Sequence, residues 1–143
     1  MINNQIGTFS DISKYKLEQA IDDLDTAKLL LNANKFKAAN NRAYYACFHA
    51  MDSVLALEPI AFKKHKDTIA YFNKNYIHTE KFPKNIGRKI SRLEIIRHKS
   101  DYDNFYIASK EEAMEQIEAA DEIVRLVSEY LKNKFLKSIL IVE

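Results

Sequence analysis

The run Arg97-His98-Lys99-Ser100-Asp101-Tyr102 sets a guanidinium, an imidazole, a carboxylate and a phenol within about two helical turns. Such a set can hold phosphate through the guanidinium and move a proton through the imidazole. Stepping Ile86, Ile90, Leu93, Arg97 along a helix keeps one face, so Arg97 lies on an apolar seam. A charge there is costly unless paired, and Asp101, one turn on, is the partner the spacing offers. The pair has two readings: an ion pair that fixes the helix end, or a guanidinium held in a cleft for phosphate. Spacing alone favours the first. Under either, Arg97 is expected to be buried or cleft-facing, with Asp101 in ion-pair range.

A second polar set stands upstream. Arg42, Tyr45, His49 and Asp52 recur at spacings of three and four, which makes one stripe of a helix. Two polar clusters on otherwise apolar helices are expensive to keep apart in a small bundle. Arg42, Tyr45 and His49 are therefore expected to face the Arg97–Tyr102 segment across one polar cleft. The chain carries no Gly-rich phosphate loop. Its histidines are His49, His65, His78 and His98, and none belongs to an HExxH or ExxH arrangement. No metal or cofactor is expected. No serine-hydrolase or cysteine-protease motif appears, and the lone Cys47 reads as a buried thiol.

The elements that must position these residues are helices. Leu17, Ala20, Ile21, Leu24 and Leu31 predict a first helix over about 13–32, broken by Asn32-Ala33-Asn34. A second runs from about Phe36 to Leu57, ahead of Glu58-Pro59. It has a small-residue seam (Ala39, Ala43, Cys47, Ala50, Val54) beside a bulky one (Tyr44, Phe48, Met51, Leu55). So wide an apolar arc is expected to be buried on more than one side, against both core and a partner copy. A third helix over 64–75, a loop over 76–85, and a fourth helix ending in the Arg97 run follow. Ser109 and Glu112 form a capping box for a fifth, whose stripe is Ala113, Ile117, Ala120, Val124, Val127 and Leu131. The apolar tail after Leu131 could extend that helix, pack on a partner or fray. The fold expected is all-α, an antiparallel up-and-down bundle of four to five helices.

The 143 residues read as one domain, 1–143, with its core over about 13–131 and a tail over 132–143. Two glycines and two prolines argue against a sheet-rich fold, and 47% apolar with 29% charged residues marks a globular chain. No stretch approaches the roughly 20 apolar residues of a membrane helix, and no secretory signal is visible. A cytoplasmic protein is expected. Net charge is only +2, although basic residues cluster at Lys63-Lys64-His65-Lys66 and Gly87-Arg88-Lys89. Solvated helix ends are the simpler reading of those clusters.

The segment from Ala38 to Ala50, with Asn40-Asn41-Arg42-Ala43-Tyr44-Tyr45 at its heart, resembles the second helix of small prokaryotic HEPN-domain proteins. Arg97-His98-Lys99-Ser100-Asp101-Tyr102 is similar to the R-x-x-[AS]-D-Y segment of the same subgroup, and His65 falls where these chains often carry a histidine. The resemblance covers about Ser13 to Leu131. It implies a dimerising helical bundle, often a metal-independent ribonuclease paired with a minimal nucleotidyltransferase antitoxin. It further implies an R-x(4–6)-H site contributed by both protomers. Four residues intervene between Arg97 and Tyr102, so a phenol stands where that motif has histidine. Arg92 and His98, with five residues between them, satisfy the motif in another register, and His49 beside Arg97 is a further solution. The resemblance thus implies Arg97, His98, Asp101 and Tyr102 as catalytic candidates, and Arg42, Tyr45, His49 and Arg92 as candidates for binding RNA or nucleotide. The two functions to separate are an endoribonuclease toxin and a catalytically silent module that binds RNA, nucleotide or a nucleotidyltransferase partner.

Overall fold

A computed structural model describes the backbone of residues 2–142 and the side chains of residues 11–135. Five α-helices follow one another: α1 (Ile2–Asn32), α2 (Phe36–Leu55), α3 (His65–Phe72), α4 (Asn85–Tyr102) and α5 (Lys110–Val142). Among the described residues there is no strand. The architecture is the antiparallel up-and-down bundle that the periodicity predicts.

The chain reverses sharply after α1. Asn34 takes a left-handed backbone conformation, φ 60°. Its N–H donates to Leu31 O at 3.0 Å and that of Lys35 to Leu30 O at 2.8 Å, closing the helix end as a Schellman motif. Asparagine tolerates this conformation better than most residues. At the other junction, Ser109 Oγ accepts the Glu112 N–H at 3.1 Å. The Glu112 carboxylate reaches Arg92 rather than completing the capping box.

Helix α2 is the axis of the bundle, packed by α1, α4, α5 and α3. Both of its predicted seams are buried, Ala39 through Val54 on one and Tyr44 through Leu55 on the other. Ala39, Ala43, Ala46 and Ala50 are fully covered, so neighbouring helices approach its backbone closely. One chain therefore covers the whole apolar arc that the sequence reading divides between core and partner. The exposed apolar residues lie elsewhere, notably Phe105 and Ile107 in the α4–α5 connection.

Two boundaries differ from expectation: α1 begins at Ile2 rather than near Ser13, and α3 runs on past residue 75. Helix α3 does not end in a loop at residue 76 but continues as a π-helical turn, Asn73–Ile77, with His78 N–H donating to Asn73 O at 2.9 Å. The wider turn lets Tyr76 and Ile77 both enter the core beside Phe72 and Phe82. The apolar tail extends α5, whose helix runs through Val142.

Candidate functional site

The site is built where α2 crosses α4, with α1 and the start of α3 as its walls. The predicted stripe of α2 is present, half-buried and turned toward α1. Arg42 Nη1 lies 3.1 Å from Asp23 Oδ1, and His49 Nδ1 lies 2.7 Å from Asp23 Oδ2. One carboxylate of α1 thus anchors both the Arg42 guanidinium and the His49 imidazole of α2. Asp52, at the end of the stripe, pairs with Lys16 at 2.6 Å.

Arg97 comes from the α4 seam and leaves 14% of its side chain exposed. Its guanidinium sits over the Tyr44 ring, 4.5 Å to the centroid, and 5.8 Å from that of Tyr45. Arg42 lies over the outer part of the same aromatic pair, 4.9 Å from the Tyr45 centroid. Stacking on a ring face satisfies a guanidinium electrostatically while leaving its in-plane N–H groups free to bond. The Asp101 carboxylate stands at 3.7 Å, a loose pair, and Arg97 Nε is buried with no hydrogen-bond partner. Burial works against the Arg97 charge, but Tyr44, Tyr45 and Asp101 outweigh it and raise its pKa. The guanidinium is therefore a permanent cation with unused donor capacity.

His65, at the N-terminus of α3, closes the cluster. Its ring packs on Phe48, centroids 4.0 Å apart, and its Nδ1 lies 3.2 Å from the Tyr44 hydroxyl. Burial, then the charges of Arg97 and His49, push its pKa below the usual histidine value, which keeps the imidazole neutral. Burial also pushes the Tyr44 phenol up to about 12, so it stays protonated, and its hydroxyl shares a hydrogen bond with His65 Nδ1.

Amides join the two helices. Asn40 Nδ2 donates to Ser100 Oγ at 3.1 Å, and Asn41 Nδ2 to Asp101 Oδ2 at 2.9 Å. Ser100 Oγ in turn donates to Ile96 O at 2.7 Å. These bonds fix the rotation of α4 so that Arg97 faces the tyrosines.

The structure thus brings Arg42, Tyr45, His49, Arg97 and Asp101 together, and leaves three candidates outside. His98 and Tyr102 project from the outer face of α4, exposed and in tilted ring contact, centroids 5.0 Å apart. They are a helical turn apart from each other and on a different face from Arg97, because one residue rotates a helix by about 100°. Arg92 lies on the α5 side of α4, paired with Glu112 at 3.2 Å. Sequence reasoning gave no role to Asp23, Tyr44, Asn40, Asn41 or His65. The Asn-Asn pair inside an apolar helix was a signal, since asparagine is a weak helix former and costly to bury unpaired. Asp23 had none, because acidic residues on a helix usually mark a solvated face. Cys47 carries no chemistry here: it is buried, and burial pushes its thiol well up. Among the described residues, no group of three His, Cys, Asp or Glu side chains is arranged to hold a metal ion.

Fold and site together describe a helical-bundle protein in which a partly buried polar cluster joins guanidiniums, imidazoles and tyrosines. A HEPN domain model matches residues 13–131, and the chain belongs to the HEPN domain family. It is 29% identical to the UPF0332 protein of Thermotoga maritima over 85% of this chain and 92% of that one. It is 30% identical to a Methanocaldococcus jannaschii protein named as a candidate toxin, over 82% of this chain and 87% of the relative. In fold it matches the crystal structure of TT1696 from Thermus thermophilus, with a TM-score of 0.67 and 22% identity over 82% of this chain and 96% of the other. Among the described residues, no helix is long and apolar enough to cross a membrane.

Proposed function

We propose that this protein is the toxin half of a cytoplasmic toxin–antitoxin pair, a metal-independent endoribonuclease in which Arg97 clamps the scissile phosphate. The observation that carries the reading is the Arg97 guanidinium itself, stacked on Tyr44 with Nε unpartnered and only a loose pair to Asp101. A buried donor without a partner costs stability, so a ligand that supplies an acceptor is strongly favoured there. Attack by a ribose 2′-hydroxyl needs a cation at the phosphate and a proton acceptor beside it. Arg97 supplies the first. His49, which borders the Tyr45 ring that Arg97 also faces, is the acceptor in this reading, while His98, Tyr102 and Arg92 act only on RNA that reaches round α4 or from a second protomer. A homodimer is part of this reading, supported by Tyr102 at the end of α4 and by Phe105 and Ile107 in the α4–α5 connection, all exposed. The name of the M. jannaschii relative supports the toxin assignment, and a nucleotidyltransferase-type protein is the antitoxin expected.

The test is cleavage of total RNA by the purified protein, set beside growth arrest on expression. Both should disappear with Arg97→Ala while the fold persists. One observation favours a second reading, a silent module that binds RNA, nucleotide or its nucleotidyltransferase: the phenol at residue 102 and its neighbour His98 point away from Arg97. RNA binding without cleavage, abolished by the same substitution, would establish that alternative.

A further inference from the structure

Building on the ribonuclease reading, we infer that Asp23 is the positioning residue of the site: its carboxylate holds His49 in the one tautomer whose Nε2 can take the proton of a ribose 2′-hydroxyl. Arg42 and His49 stand seven residues apart on α2, about two helical turns, and both reach this single side chain of α1. Asp23 Oδ1 takes Arg42 Nη1 at 3.1 Å, and Oδ2 takes His49 Nδ1 at 2.7 Å. The Asp23 side chain is 13% exposed, whereas Asp22 and Asp25 on either side lie open to solvent. A carboxylate paired with a guanidinium has only lone pairs to offer, so the hydrogen of the shorter contact belongs to Nδ1. A neutral imidazole carries one hydrogen and one lone pair on its two nitrogens, and fixing the first at Nδ1 leaves the second at Nε2. Among the described residues Nε2 has no hydrogen-bond partner, and it is not among the atoms sealed from solvent.

The ring so oriented packs against Tyr45, whose own ring lies under Arg42 and faces Arg97. With the phosphate held by Arg97, the 2′-oxygen forms its bond to phosphorus as its proton passes to His49 Nε2. The bond from phosphorus to the 5′-oxygen breaks, and that oxygen takes a proton from solvent, leaving a 2′,3′-cyclic phosphate and a 5′-hydroxyl. The Asp23 carboxylate faces the positive charge that develops on the ring, as in other carboxylate–imidazole pairs. The simpler role for Asp23 is to fasten α1 to α2. That interface already buries Ala20, Leu24 and Ala27 and carries the Ser13–Ser53 hydrogen bond and the Lys16–Asp52 pair. Asparagine at residue 23 separates the two roles. It has one acceptor oxygen where two donors need one each, and the guanidinium, with no lone pair, must keep it. The amide NH₂ then faces Nδ1, which becomes the acceptor, and the imidazole hydrogen moves to Nε2.

The test joins two measurements. Long-range ¹H–¹⁵N spectra of histidine-labelled protein read the His49 tautomer, the signal being assigned by its loss in His49→Gln. Single-turnover cleavage of an end-labelled oligoribonucleotide that contains every dinucleotide step reads the chemical step, and the half-saturating protein concentration reads binding. Wild type should show hydrogen on Nδ1, and Asp23→Asn should show it on Nε2. Asp23→Asn should slow the saturated rate by about 10²-fold or more, with binding little changed. The same substitution added to His49→Gln should cost nothing further, because Asp23 acts through that ring. Asp23→Asn with Arg42→Met frees the amide oxygen to turn to Nδ1. That double variant should return the hydrogen to Nδ1 and recover about tenfold of the rate while binding RNA more weakly, which a mere fastening of α1 to α2 would not do. Hydrogen on Nε2 in the wild type, or a wild-type rate in Asp23→Asn, would overturn the role of Asp23 and leave the ribonuclease reading standing. No cleavage by the wild type itself would overturn that reading, and the inference with it.

Discussion

Two polar clusters are buried in this bundle, and they are balanced differently. At one end Glu58 accepts hydrogen bonds from Tyr71, at 2.9 Å, and from Tyr76, so each carboxylate oxygen has its donor. The Tyr76 and Tyr130 phenols are both pushed up, by burial first, and Glu58 adds to the shift. Nothing there asks for a ligand, and the cluster ties the α2–α3 connection to α3 and the π-helical turn. At the crossing of α2 and α4, by contrast, Arg42, Arg97, His49 and His65 gather around Asp23 and Asp101. Arg97 Nε and Asn40 Oδ1 are left without partners. A cluster that satisfies itself is a fastening; one that withholds a cation from full pairing holds it for something else.

The contrast breaks most visibly at Arg97. Arg97→Ala should lower RNA cleavage, or RNA affinity if the protein only binds, by about 10²–10³-fold, the usual effect of deleting a charge-stabilising donor. Its Tm should change little, because the residue removed was itself under-satisfied. A Tm collapse with retained activity would make Arg97 the fastening and Glu58 the cluster to explain.

Tyr76→Phe should do the reverse. It strips one donor from the Glu58 carboxylate, at a cost of about 1.5–3 kcal/mol in a denaturant titration, and should leave cleavage at the wild-type rate. Asn40→Ala comes next, at about 1 kcal/mol, since it removes the bond to Ser100 but also an amide oxygen that had no partner. Its informative readout is kinetic: with α4 less firmly rotated, cleavage should fall further than that stability loss implies, and Asn40→Asp at low pH should restore part of it.

What the sequence made legible follows from which forces are local. The α5 stripe from Ala113 to Leu131 is buried throughout, and so are both seams of α2, because a 3.6-residue period survives any tertiary arrangement. Arg97 was legible for the same reason: it occupies a seam position, and a charge in that register must be accommodated. The α3 boundary was not, because the π-helical turn inserts a residue and shifts Tyr76 and Ile77 into a phase that no regular period anticipates. Asp23 was not, because its partners lie 19 and 26 residues away and nothing local distinguishes it from Asp22 or Asp25. His98 and Tyr102 were joined to Arg97 by the family's linear motif, which carries no helical phase, and in the structure they stand on a different face of α4.

The smallest expected effect concerns His65, and it sharpens the comparison by making one cluster sensitive to pH. The imidazole is hydrogen-bonded to the Tyr44 hydroxyl and faces Arg97, His49, Asp52 and Glu94. Its pKa in the folded chain lies below the unfolded value, so the unfolded chain binds more protons as pH falls. His65 therefore costs nothing above the unfolded value of about 6.5. It erodes stability as pH drops from there through the folded pKa, where the loss levels off. The sign is opposite to that of a histidine held by a carboxylate. Wild type should lose more Tm between pH 7 and pH 5 than His65→Asn, whose amide oxygen still accepts from Tyr44 but cannot titrate. Activity should follow the same limb, because a protonated His65 adds a positive charge beside Arg97 and forces its hydrogen bond with the Tyr44 hydroxyl to rearrange. Among the described residues the Glu58 end has no histidine bonded to its carboxylate, so Tyr76→Phe should leave this acid limb unmoved. An acid limb identical in wild type and His65→Asn would place the titrating group elsewhere and remove His65 from the site.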